Sequence, residues 1–215
     1  TFMVNTVDWL YTRISIDDQT LDIAKSKITS FKRCLDMHKG VLTREFIWNI
    51  TAAKSIKISF ERFISMTNHS LGCQRISFEP INFSGKATIT AGLDFSIIHE
   101  SCGKNLWQCP KKAKQGNIIA ILGKTLTSGH KLFSSCRIEG IQEEMRLVED
   151  EKFIGFSFIM DLKRQQKSGF DKIVINYADK NAQTSIEDIW AKGLKLAQDN
   201  IAISYDAAYQ QQAQY

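Results

Sequence analysis

The chain has 215 residues, of which 43% are hydrophobic and 24% charged, and its formal net charge is +5. Thirteen Phe and four Trp supply enough apolar surface for a substantial core, which excludes general disorder. The positive charge is mild, and no dense basic stripe is interleaved with aromatic residues, so we expect no nucleic-acid partner. No apolar run reaches the roughly 18 residues of a membrane span, so we expect no membrane partner.

The cysteines and histidines do not predict a metal or disulfide site. The five cysteines are scattered and lack C-x-x-C spacing, and no signal peptide supports a secreted protein, which favours reduced thiols in a cytoplasmic protein. None of the four histidines has partners at metal-ligand spacing, and adjacent His99 and Glu100 would point to opposite faces of a strand. We therefore expect no metal and no cofactor.

Residues 1–180 predict a β domain, because short apolar runs alternate with turn residues at spacings near ten. The predicted strands are 10–16, 41–50, 55–64, 72–80, 85–95, 117–126, 153–162 and 171–179. Residues 153–162 give the clearest alternation, with five apolar side chains on one face. A mainly β protein with a large β-sandwich is the leading architecture, and a closed barrel is the alternative.

Two of these strands, 41–50 and 55–64, each place one arginine on an otherwise apolar face. Arg44 shares its face with Leu42 and Phe46, and Arg62 lies in the same position relative to Phe60 and Ile64. A buried unpaired guanidinium is costly, so a partner is expected. The candidates are a bound anion, a neighbouring domain, or a carboxylate of the sandwich itself, for which the candidates are Asp36, Glu45, Glu61 and Glu79. Pairing within the sandwich is the preferred interpretation.

Two other motifs have simpler explanations than a binding site. Residues 122–129 resemble a phosphate loop, but Ile118 stands where that loop requires glycine, so a strand ending in a polar turn is favoured. Residues 99–116 predict a long polar loop with Trp107 near its middle. That ring is either a platform for stacking a sugar or a buried anchor of the loop, and the anchor is favoured.

After residue 180 the period of the apolar residues changes to three and four, which predicts a helix from about 186 to 197. Thr184 and Glu187 have capping-box spacing at its start, and a second helix begins at Ser204. We interpret 181–215 as a helical linker towards a further domain. The sequence also lacks an initiator Met and ends inside this second helix, so we expect a fragment whose first strands are missing.

Three motifs in order resemble the N-terminal domain of glycoside hydrolase family 65. The first is the R-x-LDM-x-x-G-x-LTR run at 33–44, the second the ERF-x-S strand at 61–65, and the third the P-x-NFSG turn at 80–85. The segments before and after them are also similar to the family, so the likeness covers nearly the whole chain. The family includes inverting phosphorylases of maltose, trehalose, kojibiose and nigerose, together with trehalose hydrolases.

The resemblance implies a large antiparallel β-sandwich of the supersandwich type, followed by a helical linker to an (α/α) barrel that carries the general acid and the phosphate site. It therefore implies no catalytic residue in this chain. Its expected partners are the barrel, a disaccharide and inorganic phosphate for the full-length enzyme, and a second copy in a homodimer. Arg44, Glu61, Arg62 and His69 are expected to be structural or interdomain residues. Trp107 is the candidate for carbohydrate binding, should the domain be a carbohydrate-binding module.

Overall fold

The computed structural model describes residues 3–215. In this part of the chain, thirteen strands are followed by two helices. The elements are β1 (Thr12–Ile16), β2 (Gln19–Thr20), β3 (Ile28–Asp36), β4 (Val41–Asn49), β5 (Ser55–Ile64), β6 (Leu71–Pro80), β7 (Gly85–Asp94), β8 (Trp107–Gln115), β9 (Ile118–Thr125), β10 (Lys131–Glu139), β11 (Arg146–Asp150), β12 (Phe153–Leu162), β13 (Ser168–Asp179), α1 (Ile186–Asp199) and α2 (Tyr205–Ala213).

The strands form two antiparallel sheets that face each other. The small sheet has the order β11-β12-β7-β1-β2, and the large sheet has the order β3-β4-β5-β6-β13-β10-β9-β8. The last strand in the sequence, β13, thus lies at the middle of the large sheet and joins its two halves by pairing with β6 and β10. The predicted β-sandwich is confirmed, and it has two separate sheets rather than a closed barrel.

The main core lies between the sheets, where alternate residues of each strand point inward. On β12, the five apolar residues Ile154, Phe156, Phe158, Met160 and Leu162 are all buried there, as their alternation predicts. Phe46, Trp48, Ile56 and Ile58 face them from the large sheet and are at most 2% exposed.

One buried charge crosses this core. Lys172 of β13 is fully buried, and its ammonium group donates to the carbonyl oxygens of Trp9 at 2.7 Å, Tyr11 at 2.9 Å and Gly92 at 3.3 Å. Burial lowers its pKa. The three carbonyls satisfy the ammonium and connect the large sheet to the segment before β1 and to β7 of the small sheet.

Both helices lie on the outer face of the large sheet and form a third layer. Trp190 and Ile189 of α1 pack on Phe133, and Tyr205 and Ala208 of α2 pack in a second cluster with residues of β4, β5, β6 and β13. The predicted capping box is corrected by one residue: Ser185, not Thr184, is the N-cap of α1, and its hydroxyl accepts from the amide of Asp188 at 3.0 Å. Ser204 caps α2, where the sequence predicts the second helix to begin.

The prediction of a loop over 99–116 is wrong for its second half. Residues 107–115 form β8, which pairs with β9 and has an irregular register between Gln108 and Lys111. Pro110 lies at that irregularity and has no amide hydrogen to donate. β8 is an edge strand, so no hydrogen bond between two central strands is lost. Within 3–215 no helix is long and apolar enough to cross a bilayer, and no group of three or more potential metal ligands comes together.

Candidate functional site

Arg44 and Arg62 lie on the inner face of the large sheet, at an end that the small sheet leaves open. In the register of β4 and β5, Arg44 is opposite Phe60 and Leu42 is opposite Arg62. Further along the same face, Phe46 and Ile58 are fully buried, whereas both arginines are half-buried. The sequence therefore identified the face correctly, and the arginines stand where the core ends.

No carboxylate of residues 3–215 forms an ion pair with either guanidinium. Of the expected partners, Asp36 lies 4.0 Å from Lys39, Glu45 lies 3.0 Å from Lys57, and Glu61 accepts from Tyr205. The contact that Arg44 does make is with a ring, since its guanidinium carbon lies 4.8 Å from the centre of Phe60. Pairing within the sandwich is thus not what the structure shows.

The two arginines line a cleft of about 510 Å³ between β1, β2 and the β4–β6 part of the large sheet, hereafter the arginine cleft. Phe60 and Gln74 of the large sheet and Thr12 of β1 also line it. Asp22 also lines the cleft, but its carboxylate accepts from the amide of Ala24 at 3.0 Å and lies 3.4 Å from Lys25. The cleft is therefore electropositive.

The arginines at this end of the sheet shift one another's pKa values. Burial is the main cause that lowers the pKa of Arg44, and the charges of Arg62 and Arg33 lower it further. The pKa of Arg62 is lowered by burial and by Arg33, and Asp8 opposes this shift. Arg33 is exposed on β3, directly opposite Arg44. Three arginines thus repel one another at this end of the sheet.

Two polar atoms of the cleft also lack hydrogen-bond partners within residues 3–215. They are Nε of Arg44 and Oε1 of Gln74, and both atoms are buried. Gln74 is 1% exposed and lies opposite Arg62 in the register of β5 and β6. A buried polar group without a partner costs about 1–3 kcal/mol, so native proteins rarely keep one without a reason.

An apolar groove of about 650 Å³ adjoins the arginine cleft and shares Arg62 with it. It is bounded by the β3–β4 and β5–β6 turns, and its exposed side chains include Leu35 (59%), Met37 (86%), Ile64 (62%) and Met66 (47%). Several exposed large apolar side chains in one groove are unusual for a surface that faces only water. We name it the turn groove.

α2 fixes the two turns of this groove. The side chain of Gln212 accepts from the amide of Met66 at 2.8 Å. On the other turn, Gly40 has φ +63°, and a side chain there would collide with Gln212. Gly40 therefore serves both the tight turn and the close approach of the helix. His69 is exposed in the β5–β6 turn, where its neighbour Asn68 donates to Oδ1 of Asn200 at 2.8 Å.

Glu61 lies on the opposite, helix-covered face of β5. The buried Tyr205 donates its hydroxyl to Glu61, and burial followed by this bond raises the pKa of Tyr205. Next to it, Arg75 binds both oxygens of Asp171 at 2.8 Å, contacts Asp206 at 2.8 Å and lies 4.1 Å from the centre of the Tyr205 ring. These contacts attach α2 to the sheet.

Arg137 of β10 performs the same role between the helices. Its terminal nitrogens donate to the carbonyls of Ile201 and Ile203, and its Nε lies 2.8 Å from Oε1 of Glu139. Sequence reasoning missed both Arg75 and Arg137. Their positions on β6 and β10 indicate only which face of the large sheet they share. Nothing in the sequence shows that helices cover that face.

Trp107 lies in a position that fits the anchor interpretation. It is 5% exposed, its ring centre is 4.8 Å from that of Phe95, and its indole nitrogen donates to the carbonyl of Asn5 at 2.8 Å. A cavity of about 750 Å³ lined by apolar residues such as Leu106 and Leu126 adjoins it. With one ring face against Phe95 and little surface free, carbohydrate stacking on Trp107 stays a prediction.

The family model described as "Glycosyl hydrolase family 65, N-terminal domain" matches residues 1–215. The chain is 24% identical to an alpha,alpha-trehalose phosphorylase of Thermoanaerobacter brockii over 197 residues, covering 83% of this chain and 25% of the relative. It is also 24% identical to a kojibiose phosphorylase of Halothermothrix orenii over 191 residues, covering 86% of this chain and 24% of the relative.

A solved structure shares the fold. It is a protein from the human microbiome that is provisionally described as a kojibiose phosphorylase, and it matches 98% of this chain and 27% of its own with a TM-score of 0.89 and 26% identity. The chain thus spans about a quarter of the length of the curated relatives that it matches.

Proposed function

Because the chain belongs to the N-terminal domain family of glycosyl hydrolase family 65, we propose that it is the non-catalytic β-sandwich domain of an inverting disaccharide phosphorylase. In this role it supports a catalytic (α/α) barrel and borders the barrel's sugar site. The relatives named as trehalose and kojibiose phosphorylases support the reaction class: transfer of a glucosyl unit from a disaccharide to inorganic phosphate. We propose a cytoplasmic homodimer, as the family resemblance implies.

One observation carries this proposal, namely the turn groove. Its apolar side chains are exposed, although α2 holds both of its turns in place. A fixed apolar surface is suited to burial against another domain, because forming the contact does not cost the conformational entropy of ordering its loops. Gln212 of α2 and Tyr215, which follows α2, line the same groove, so the helical segment reaches this surface. We therefore place the barrel contact here.

The test places a charge in the groove of the full-length protein. Ile64→Glu should lower its rate of phosphate-dependent disaccharide cleavage and its melting temperature, because a carboxylate would be buried against the barrel. The control is Ile159→Glu on β12, since Ile159 is also an exposed strand isoleucine (49% against 62% for Ile64) but lies on the small sheet. Equal effects of both variants would remove the turn groove as the barrel contact.

The substrate is found by assaying phosphate consumption by the full-length protein with maltose, trehalose, kojibiose and nigerose. Release of glucose without phosphate consumption would show a family 65 hydrolase instead. The 215-residue chain is the parallel sample and should be inert, because we propose that the catalytic groups lie in the barrel.

A carbohydrate-binding module is the second candidate, and the cavity beside Trp107 is the observation in its favour. Calorimetric titration of the 215-residue chain with maltose and trehalose separates the two. Heat of binding that Trp107→Phe removes would support the module, and no heat in the millimolar range would leave the scaffold role.

A further inference from the structure

The arginine cleft is a binding site that the scaffold role does not use. We propose that it binds a phosphoryl group of a small molecule, either inorganic phosphate or a phosphorylated sugar. The cleft lies between the two sheets of the sandwich and adjoins the turn groove, with which it shares Arg62, whereas Arg44 lines the cleft alone.

Charge is the first argument. Arg44 and Arg62 face the same space from adjacent strands, and Arg33 adds its charge from β3. Within residues 3–215 neither Arg44 nor Arg62 has a carboxylate partner at ion-pair distance, and the carboxylate of Asp22 is already bound. An oxyanion with two negative charges would remove this repulsion. Arginine is the side chain best suited to hold it, because its planar fork matches phosphate oxygens.

Unmade hydrogen bonds are the second argument, and they point to a ligand with both acceptors and donors. Nε of Arg44 needs an acceptor, which a phosphoryl oxygen provides. Oε1 of Gln74, which is 1% exposed, needs a donor, and a hydroxyl of a sugar or the proton of a phosphate monoanion provides one. A halide or a carboxylate would satisfy the first group only.

The size and the walls of the cleft favour a small molecule. About 510 Å³ is within the range of small-molecule sites and exceeds the space that phosphate alone needs. Phe60 places its ring 4.8 Å from the guanidinium of Arg44, and Thr12 is a hydroxyl residue of the lining. A sugar that carries the phosphoryl group could pack its C–H face on such a ring and form a hydrogen bond with such a hydroxyl.

The experiment is calorimetric titration of the 215-residue chain in a phosphate-free buffer of low ionic strength with inorganic phosphate, glucose 6-phosphate and glucose. The two phosphoryl compounds should bind, and glucose, which matches the second ligand except for the phosphoryl group, should not. Arg44→Gln and Arg62→Gln should each weaken binding at least about tenfold, since a charge-assisted hydrogen bond is lost. Arg146→Gln is the control, because Arg146 is exposed on β11 far from the cleft in the sheet order.

The outcomes separate the sources of the phosphoryl group. Equal affinity for phosphate and glucose 6-phosphate would support a site for free phosphate, and tighter binding of glucose 6-phosphate would support a site for a phosphorylated sugar. Circular dichroism shows whether each variant is folded, and either arginine variant suffices for the comparison.

Four results would overturn the proposal, and the first three concern the titrations already described. They are absence of binding at tens of millimolar ligand, equal binding of glucose and glucose 6-phosphate, and equal weakening by Arg146→Gln and the cleft variants. A fourth is binding of an acidic peptide such as polyglutamate with no binding of either phosphoryl compound, which would assign the arginines to a protein partner.

Discussion

The large sheet carries arginines on both of its faces, and the two faces differ in the partners that they offer to the guanidinium groups. On the helix-covered face, Arg75 is held by the carboxylates of Asp171 and Asp206, and Arg137 is held by two carbonyls of the segment between α1 and α2 and by an ion pair with Glu139. On the inner face, Arg44 and Arg62 have no such partners within residues 3–215. All four arginines stand among buried apolar residues of central strands, so the sequence pattern around them is similar.

This difference separates residues that hold the fold together from residues that remain available. A guanidinium that carboxylates and carbonyls hold gains its stability from the folded chain, and removing it leaves buried acceptors without partners. A guanidinium whose N–H groups have no partner contributes little to the stability of the fold, and these groups can still bind a ligand. Four substitutions test this comparison, in order of decreasing expected effect on the free energy of unfolding.

Arg137→Met should have the largest effect, a loss of about 3 kcal/mol, because it leaves Glu139 and two backbone carbonyls without their donor in a buried site. Denaturant unfolding followed by tryptophan fluorescence measures it. Arg146→Met on exposed β11 is the control and should stay within about 0.5 kcal/mol. A loss below about 1 kcal/mol for Arg137→Met would contradict the structural role.

Gly193→Ala should lower stability by about 2 kcal/mol, although alanine favours a helix by about 1 kcal/mol. Gly193 is buried where α1 crosses β10, and an added methyl group would overlap the ring of the fully buried Phe133. The helix would have to move off the sheet. Lys192→Ala, one residue earlier on the exposed side of α1, is the control and should be neutral or slightly stabilising. A Gly193→Ala protein as stable as the parent would show that helix and sheet are not in close contact.

Tyr205→Phe should cost about 1 kcal/mol, because the buried hydroxyl donates to Glu61. It should also change the pH dependence. The pKa of Tyr205 is raised in the folded chain, so the unfolded chain loses the proton first, and stability falls as pH rises above about 10. Unfolding measured between pH 8 and 11 should show a shallower fall for Tyr205→Phe. Tyr209→Phe, whose ring also packs near Phe63, should fall as steeply as the parent.

Arg44→Leu should have the smallest effect, between no change and about 1 kcal/mol of added stability, because it removes a charge that Arg62 and Arg33 repel. Thermal unfolding at low and high salt measures it, and salt should stabilise the parent more than the variant. A loss as large as that of Arg137→Met would show that the two faces do not differ.

The sequence predicts the strands well where burial is one-sided. The sequence assigns the residues of β12, β4 and β5 to the correct faces of their sheets. It can do so because the pleat of a strand makes successive side chains alternate between the two faces. β8 was missed because its polar residues and Pro110 lie on an edge strand, where burial does not enforce a pattern. The family motifs identified the domain as a whole.

The candidate site was predictable only in part. Arg44 and Arg62 stood out because a guanidinium on an apolar face is a local anomaly that the sequence displays. Their lack of carboxylate partners depends on contacts between strands far apart in the chain, and so does the bond between Arg75 and Asp171, which are 96 residues apart. No local pattern fixes such pairs. The difference between the two faces therefore became visible only in three dimensions.

The central position of β13 bears on how this chain is made by the ribosome. β3 to β6 on one side and β8 to β10 on the other are joined only through β13. Until β13 has left the exit tunnel, β6 and β10 cannot form their pairs with it, and an unpaired strand edge is prone to non-native association. The carbonyls of Trp9 and Tyr11 likewise gain their ammonium partner only when Lys172 is synthesised about 160 residues later. The large sheet can therefore be completed only after β13 has been synthesised.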